Sequence, residues 1–164
     1  MKNSQTVIMG IDFGKVNVIY ATFNNCNKSY VVNNAPKVRD KAIIINGEYN
    51  PYFAMDNYNL KTAIHIVNIA VKHHVNVIHM ESLDGSSFTQ NSFYYDLQRQ
   101  IQYIASTKYI KVKYVERYKT SQKCSNCGYT NKKNRVSQSE FICLKCGFQD
   151  HADHNAALNI CMAR

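Results

Sequence analysis

The chain has 164 residues, which bounds it to one modest hydrophobic core, and its 20 Lys and Arg against 11 Asp and Glu leave a formal charge of +9. No apolar run approaches membrane-spanning length, and the opening MKNSQTVIMGIDFG lacks a long apolar region with a cleavage site, which argues against a membrane or secreted protein and for a soluble, cytoplasmic one. Six cysteines do not make a disulfide scaffold, because four of them form two close pairs while Cys26 and Cys161 read as ordinary half-buried thiols; a reducing compartment fits this usage.

Residues 7–13, VIMGIDF, form a short apolar run rich in β-branched side chains, closed by Gly14 and followed by a second run over 16–23. Together they predict a hairpin of two strands. Weaker strand signals lie at 30–32 and 42–45, on either side of a loop at Pro36, and supply a third strand. Residues 49–59 mix Asn, Pro and aromatic side chains without a clear period and read as loop. From Leu60 the pattern changes: Leu60, Ala63, Ile64, Val67, Ala70 and Val71 follow the spacing of an amphipathic helix that ends near His74.

Residues 75–80, VNVIHM, then predict a compact strand that runs into Glu81 and a turn at Leu83, Asp84, Gly85 and Ser86. A second helix follows from Phe93, Leu97, Ile101, Ile104 and Ala105, with Asn91 or Ser92 as its cap. Residues 111–115 alternate basic and apolar side chains and make a last strand. Strands followed by helix, strand, helix, strand describe an α/β chain. Its hairpin is antiparallel, its later strands are parallel, and helices cover the faces of the mixed sheet.

Beyond the last strand lie Cys124 and Cys127, then Cys143 and Cys146, two C-x2-C pairs separated by fifteen residues, each followed by glycine (Gly128, Gly147). Each pair predicts a tight knuckle that turns two thiolates toward one point, and two knuckles complete a tetrahedral sulfur site for Zn2+. The segment between them is polar and basic, so burial alone cannot order it and a structural metal would. Basic residues concentrate around it: residues 108–135 hold nine Lys and Arg against the single acid Glu116. Such a cluster is often a solvated face, but beside a zinc ribbon it suggests contact with nucleic-acid phosphates. Lys119, Lys123, Lys132, Lys133 and Arg135 are the candidates.

The final segment places Asp153 just ahead of Asn155, Ala156, Ala157, Leu158 and Ile160, a short helical pattern. Asp153 could cap that helix, satisfying free backbone N–H groups, or aim a carboxylate at a metal. Two other acids stand at strand ends, Asp12 on the first strand and Glu81 on the strand after the first helix. Taken singly they read as a turn residue and a surface acid. If the two strands are neighbours, all three carboxylates converge, and their mutual repulsion would be relieved by Mg2+ or Mn2+, hard cations that prefer oxygen.

GIDFG (10–14), IHMESL (78–83), FYYDLQRQIQY (93–103), TSQKCSNCG (120–128) and CGFQDHADHNAALNI (146–160) resemble the RuvC nuclease segments and zinc ribbon of the TnpB family of transposon-encoded RNA-guided nucleases. The resemblance implies an RNase H-like fold in three parts. These are a first part of the core over 1–118, a zinc-ribbon insert over 119–149, and the closing helix of the core over 150–164. It also implies a catalytic triad of Asp12, Glu81 and Asp153, metal-dependent DNA cleavage, and DNA and guide RNA as partners. The family commonly has an Asp two residues before the last carboxylate, where this chain has His151. Family members also carry a long N-terminal region that binds guide RNA and target, which a separate chain would have to supply here. The other reading is a catalytically inactive nucleic-acid-binding module left by a mobile element.

Other residues carry plainer readings. His151 and His154 could each replace a thiolate, but four cysteines already fill a tetrahedral site. His73 and His74 suit the negative end of a helix. Tyr94, Tyr95 and Tyr103 have helical spacing, which fits a core lining better than a base-stacking surface.

Overall fold

In the computed structural model, residues 6–14, 17–33, 43–45, 48–83, 92–116 and 118–163 are described. The apolar opening run folds as β1 (Ile8–Asp12), and the next two strands, β2 (Asn17–Phe23) and β3 (Ser29–Asn33), continue it as an antiparallel meander. The chain then forms a separate hairpin of β4 (Ile43–Ile45) and β5 (Glu48–Asn50) before entering α1 (Pro51–Lys72). Strand β6 (Val77–Glu81), helix α2 (Ser92–Thr107) and strand β7 (Lys111–Val115) follow, and the main sheet has the order β3-β2-β1-β6-β7. β1, β6 and β7 are parallel, as crossover connections through α1 and α2 require. Strands β8 (Glu140–Ile142) and β9 (Gln149–His151) pair within the cysteine-bearing segment, which leads into α3 (Ala152–Cys161).

Side chains alternate across the sheet, so β1 and β6 each present two faces. Met9, Ile11, Ile78 and Met80 turn to one side and bury against Ala63, Ile66, Val67 and Ala70 of α1 and Leu97, Ile101 and Ala105 of α2. Gly10, Asp12, His79 and Glu81 turn to the other side, where α3 lies. The close seating of α3 on that face explains why Gly10 is glycine: a Cβ there would stand 2.4 Å from the Ala157 carbonyl oxygen and 2.5 Å from Cys161 Cβ.

One expectation is corrected. The loop expected at 49–59 is strand and helix instead: β5 runs to Asn50 and α1 begins at Pro51. Proline is well tolerated at the first position of a helix, where its missing N–H would have no partner in any case. The buried Asn59, whose side chain donates to the Phe93 carbonyl at 3.1 Å, breaks the apolar period while fastening α1 to α2. The strand expected at 42–45 exists, in the small hairpin instead of the main sheet. The Pro36 loop, the turn at Asp84 to Ser86 and the cap at Asn91 lie outside the described residues. Among the described residues no helix is long and apolar enough to cross a membrane.

Candidate functional site

Ile11 pairs with Met80 in the parallel ladder, so the residues that follow, Asp12 and Glu81, end neighbouring strands side by side on the face that α3 covers. Helix α3 runs opposite to them. Its Cys161 thiol donates to the Ile8 carbonyl at 3.3 Å, and Ala157 lies over Gly10. From Ala157 back to Asp153 the helix rises about 6 Å, and from Gly10 to Asp12 the strand advances about 6.6 Å. Asp153 is therefore carried toward the strand end that bears Asp12. All three carboxylates are withdrawn from solvent, at 9 %, 6 % and 3 % exposure for Asp12, Glu81 and Asp153.

Their surroundings are polar and specific. The Thr120 hydroxyl donates to Glu81 Oε1, and Gln98 donates to the Glu81 carbonyl at 2.8 Å. Arg135 Nη2 donates to Asp153 Oδ1 at 3.3 Å and to the Gln138 carbonyl at 2.8 Å. Arg135, expected to meet phosphate directly, thus reaches the buried carboxylate from the cysteine segment. The expected cap is also reassigned. His151 is the N-cap of α3, its Nδ1 accepting from the Asp153 N–H at 3.2 Å, while Asp153 sits in the first turn. That explains why His can stand where the resembling family often has Asp: both can accept at a helix start. His154 donates from Nδ1 to Asp150 at 2.7 Å, and neither histidine joins the cysteines.

The four cysteines meet as their spacing implied. Ligand atoms of Cys124, Cys127, Cys143 and Cys146 all lie within 4.8 Å of one another, the group with that spacing among the described residues. Two Sγ pairs, Cys124 with Cys146 and Cys127 with Cys143, stand 3.7 and 3.6 Å apart. A tetrahedron with metal–sulfur bonds of about 2.3 Å has edges of about 3.8 Å, so the donor set fits zinc in size as well as chemistry. The two knuckles repeat the same bonds: the N–H of Gly128 donates to the Cys124 carbonyl at 2.8 Å and that of Gly147 to the Cys143 carbonyl at 2.9 Å. Both glycines have left-handed backbones, φ 76° and 71°, which a side chain would disfavour. Burial pushes the Cys124 thiol up to about 12, whereas the backbone N–H of Phe148 draws Cys146 down to about 6.

Two asparagines that the sequence reading passed over lock the knuckle to the carboxylate helix. Asn155, fully buried, donates to the Lys123 carbonyl at 2.8 Å and accepts from the Ser125 N–H at 2.9 Å. One turn on, Asn159 donates to the carbonyls of Thr120 and Lys123 at 2.9 and 2.7 Å. Their spacing of four, on a helix face otherwise made of Ala and Ile, was the available signal. Lys119, Lys123, Lys132 and Lys133 are exposed, and Lys132 and Lys133 sit on a short 3-10 turn of the cysteine segment.

Comparison with known proteins agrees with this geometry. Residues 94–160 match the family described as Cas12f1-like, TNB domain. Over 110 residues the chain is 43% identical to the CRISPR-associated endodeoxyribonuclease Cas12f1 of Sulfoacidibacillus thermotolerans, covering 64% of this chain and 26% of that protein. Over 65 residues it is 34% identical to a TnpB-like protein of Aquifex aeolicus, covering 38% of this chain and 21% of the relative. The chain thus spans about a quarter of the length of these relatives. Its fold matches a CRISPR-Cas12f ternary complex with a TM-score of 0.71 at 23% identity, over 96% of this chain and 39% of the other. It also matches T. thermophilus RuvC bound to a Holliday junction substrate with a TM-score of 0.58 at 12% identity, over 95% and 90%. Residues 94–160 thus match the Cas12f1-like TNB family, they join a mixed sheet that is RuvC-like in fold, and over these stretches the chain is similar to Cas12f1 and TnpB-like proteins.

Proposed function

We propose that this chain is the nuclease core of an RNA-guided DNA endonuclease of RuvC type, with Asp12, Glu81 and Asp153 as its catalytic carboxylates. The observation that carries the proposal is the side-by-side ending of β1 and β6 beneath α3, which draws three buried acids toward one end of the sheet. Three buried carboxylates with hard oxygen donors suit Mg2+ or Mn2+ and would repel one another without such a charge. A divalent cation bound there supplies the charge that activates water and steadies the leaving oxygen of a phosphodiester. The chain's own groups do the positioning. Thr120 and Gln98 hold Glu81 by its side chain and its backbone, and Arg135 fixes Asp153 while adding a positive charge where a phosphate enters. No side-chain nucleophile is required.

In the same reading the cysteines hold structural Zn2+ in a ribbon over 119–149, between the core segments 1–118 and 150–164. The exposed Lys119, Lys123, Lys132 and Lys133 contact nucleic-acid phosphates, and guide RNA binding comes from a further region or chain. Such a protein would act in the cytoplasm of its host.

The test is Asp153→Asn, which keeps polar contacts in the first turn of α3 and removes the carboxylate charge. With Mg2+, single-stranded DNA and any partner chain supplied, the wild type should cut. The variant should fold, bind nucleic acid and fail to cut. Equal cutting by both would remove Asp153 from the site.

A further inference from the structure

On the opposite side of the sheet from the carboxylates, the outer surface of α2 and β7 is unusual in composition. Among the described residues, the tyrosines most open to solvent are Tyr95, Tyr103, Tyr109, Tyr114 and Tyr118, and all lie within residues 95–118. A tyrosine that is 73 % exposed, as Tyr103 is, contributes little to a core. Tyr95, Arg99 and Tyr103 follow one another at spacings of four, which sets them in a single stripe along α2, and the Arg99 guanidinium lies 5.9 Å from the centre of the Tyr95 ring. Tyr114 extends the stripe onto β7, its hydroxyl donating to Gln102 Oε1 at 3.0 Å.

Positive charge runs alongside. Arg99 on α2 and Lys108 just beyond it are exposed on the side of the tyrosines, whereas Lys111 and Lys113 of the outermost strand β7, level with Val77 and His79, turn to the other face. A groove of about 750 Å3 continues from that strand between the ends of α1 and α2, lined by Lys108, Lys111, His74 and Tyr109 and by no acidic side chain. Both His74 and Tyr109 hold left-handed backbones, φ 53° and 57°, which disfavour a residue with a side chain. Lys108 could be explained as compensation for a helix C-terminus. The row of exposed tyrosines has no such explanation.

We infer that the outer surface of α2, with Tyr114 of β7, binds single-stranded nucleic acid, with bases stacked on Tyr95, Tyr103 and Tyr114 and phosphates met by Arg99 and Lys108. Flat aromatic faces interleaved with cations match a single strand, because every base offers a π-face and every linkage a negative charge. A second copy of this chain fits poorly. Its surface carries the same positive charge, and lysines along an edge strand oppose pairing with another strand. Because α2 and α3 cover opposite faces of the sheet, a strand held here is positioned and not cut, so this surface is distinct from the proposed catalytic site.

The inference is tested in full-length Asp153→Asn protein, where loss of cutting leaves binding readable whatever the chemistry of the carboxylates. Anisotropy with a labelled oligothymidylate should give an affinity about 5- to 100-fold weaker for the Tyr95→Ala, Tyr103→Ala double variant. The Tyr95→Phe, Tyr103→Phe variant should bind as the parent does, since phenylalanine still stacks. An iodouracil-substituted oligonucleotide should cross-link at Tyr95, Tyr103 or Tyr114. Unchanged affinity in the alanine variant, equal loss in the phenylalanine variant, or cross-links confined to residues 119–149 would each overturn it. So would a dimer that the alanine variant dissolves without change in nucleic-acid affinity.

Discussion

Gly10 on β1 lies directly beneath Ala157 on α3, so close that a single added carbon would stand 2.4 Å from the Ala157 carbonyl oxygen. Ala157 O and Cys161 N both oppose it as backbone atoms, which cannot swing aside as a flexible side chain can. Gly10→Ala should therefore lift α3 and carry Asp153 away from Asp12. We expect a loss of about 1–3 kcal/mol in urea unfolding, accompanied by a larger proportional loss of metal-dependent cutting than of nucleic-acid binding. An unchanged midpoint would mean that α3 does not seat as described.

The cysteine cluster should bind one zinc ion per chain. Elemental analysis should find it, and Cys143→Ala should lower its content and the protection of the segment's amides together, since little apolar burial beyond Phe141, Ala152, Tyr129 and Phe148 supports the segment. Amides that stay protected after chelation would count against a structural metal.

Asn155→Ala should be among the more damaging polar substitutions, because it leaves the Ser125 N–H without its acceptor and the Lys123 carbonyl with Asn159 as its remaining side-chain donor. The expected cost is about 1–3 kcal/mol. Zinc content should persist while cutting falls, since the knuckle survives but its hold on α3 does not. Cutting at the wild-type rate would separate the two units functionally.

His79 gives a pH signature. Its ring is buried and Nδ1 donates to the Ile160 carbonyl at 3.1 Å, and burial, aided by the charge of Lys113, holds its pKa below the ordinary 6.5. The unfolded chain therefore takes up this proton first as pH falls. Stability from this group is complete above about pH 6.5 and is lost as pH drops from there through the folded value. His79→Asn keeps a donor and does not titrate, so the wild type should lose ground to the variant below pH 6.5 in paired unfolding curves. Parallel curves down to pH 5 would remove His79 as a cause.

The basic residues should divide into two kinds. Lys132→Ala and Lys133→Ala should weaken nucleic-acid binding at every sequence and lower the slope of log affinity against log salt by about 1 each. Arg135→Ala should reduce cutting more than binding, because its guanidinium is engaged with Asp153. Equal behaviour of all three would return Arg135 to the solvated set.

Much of this was legible in local pattern. β1 and β6 read as short, mostly apolar runs because both faces of a central strand are buried, and the knuckles announce themselves because metal geometry fixes their spacing. What escaped depends on partners remote in the chain. Pro51 and Asn59 concealed the start of α1, since nothing nearby reveals that Asn59 serves the Phe93 carbonyl. Arg135 belonged to a run of cations, and only the fold brings it to an aspartate eighteen positions on. Tyr94 and Tyr95 looked alike, yet Tyr94 turns inward to donate to the Gly14 carbonyl at 2.6 Å while Tyr95 faces water.

The bond from the Cys161 thiol to the Ile8 carbonyl spans 153 positions of sequence. A contact that long can form only once α3 has left the ribosome, well after β1 has. Until then β1 has one bare face, and Asp12 and Glu81 wait without Asp153. Synthesis therefore imposes its own order: the sheet and its two crossover helices can form early, and the three proposed catalytic carboxylates come together only when α3 follows. On the proposed function, a nascent chain stays unarmed until α3 has docked.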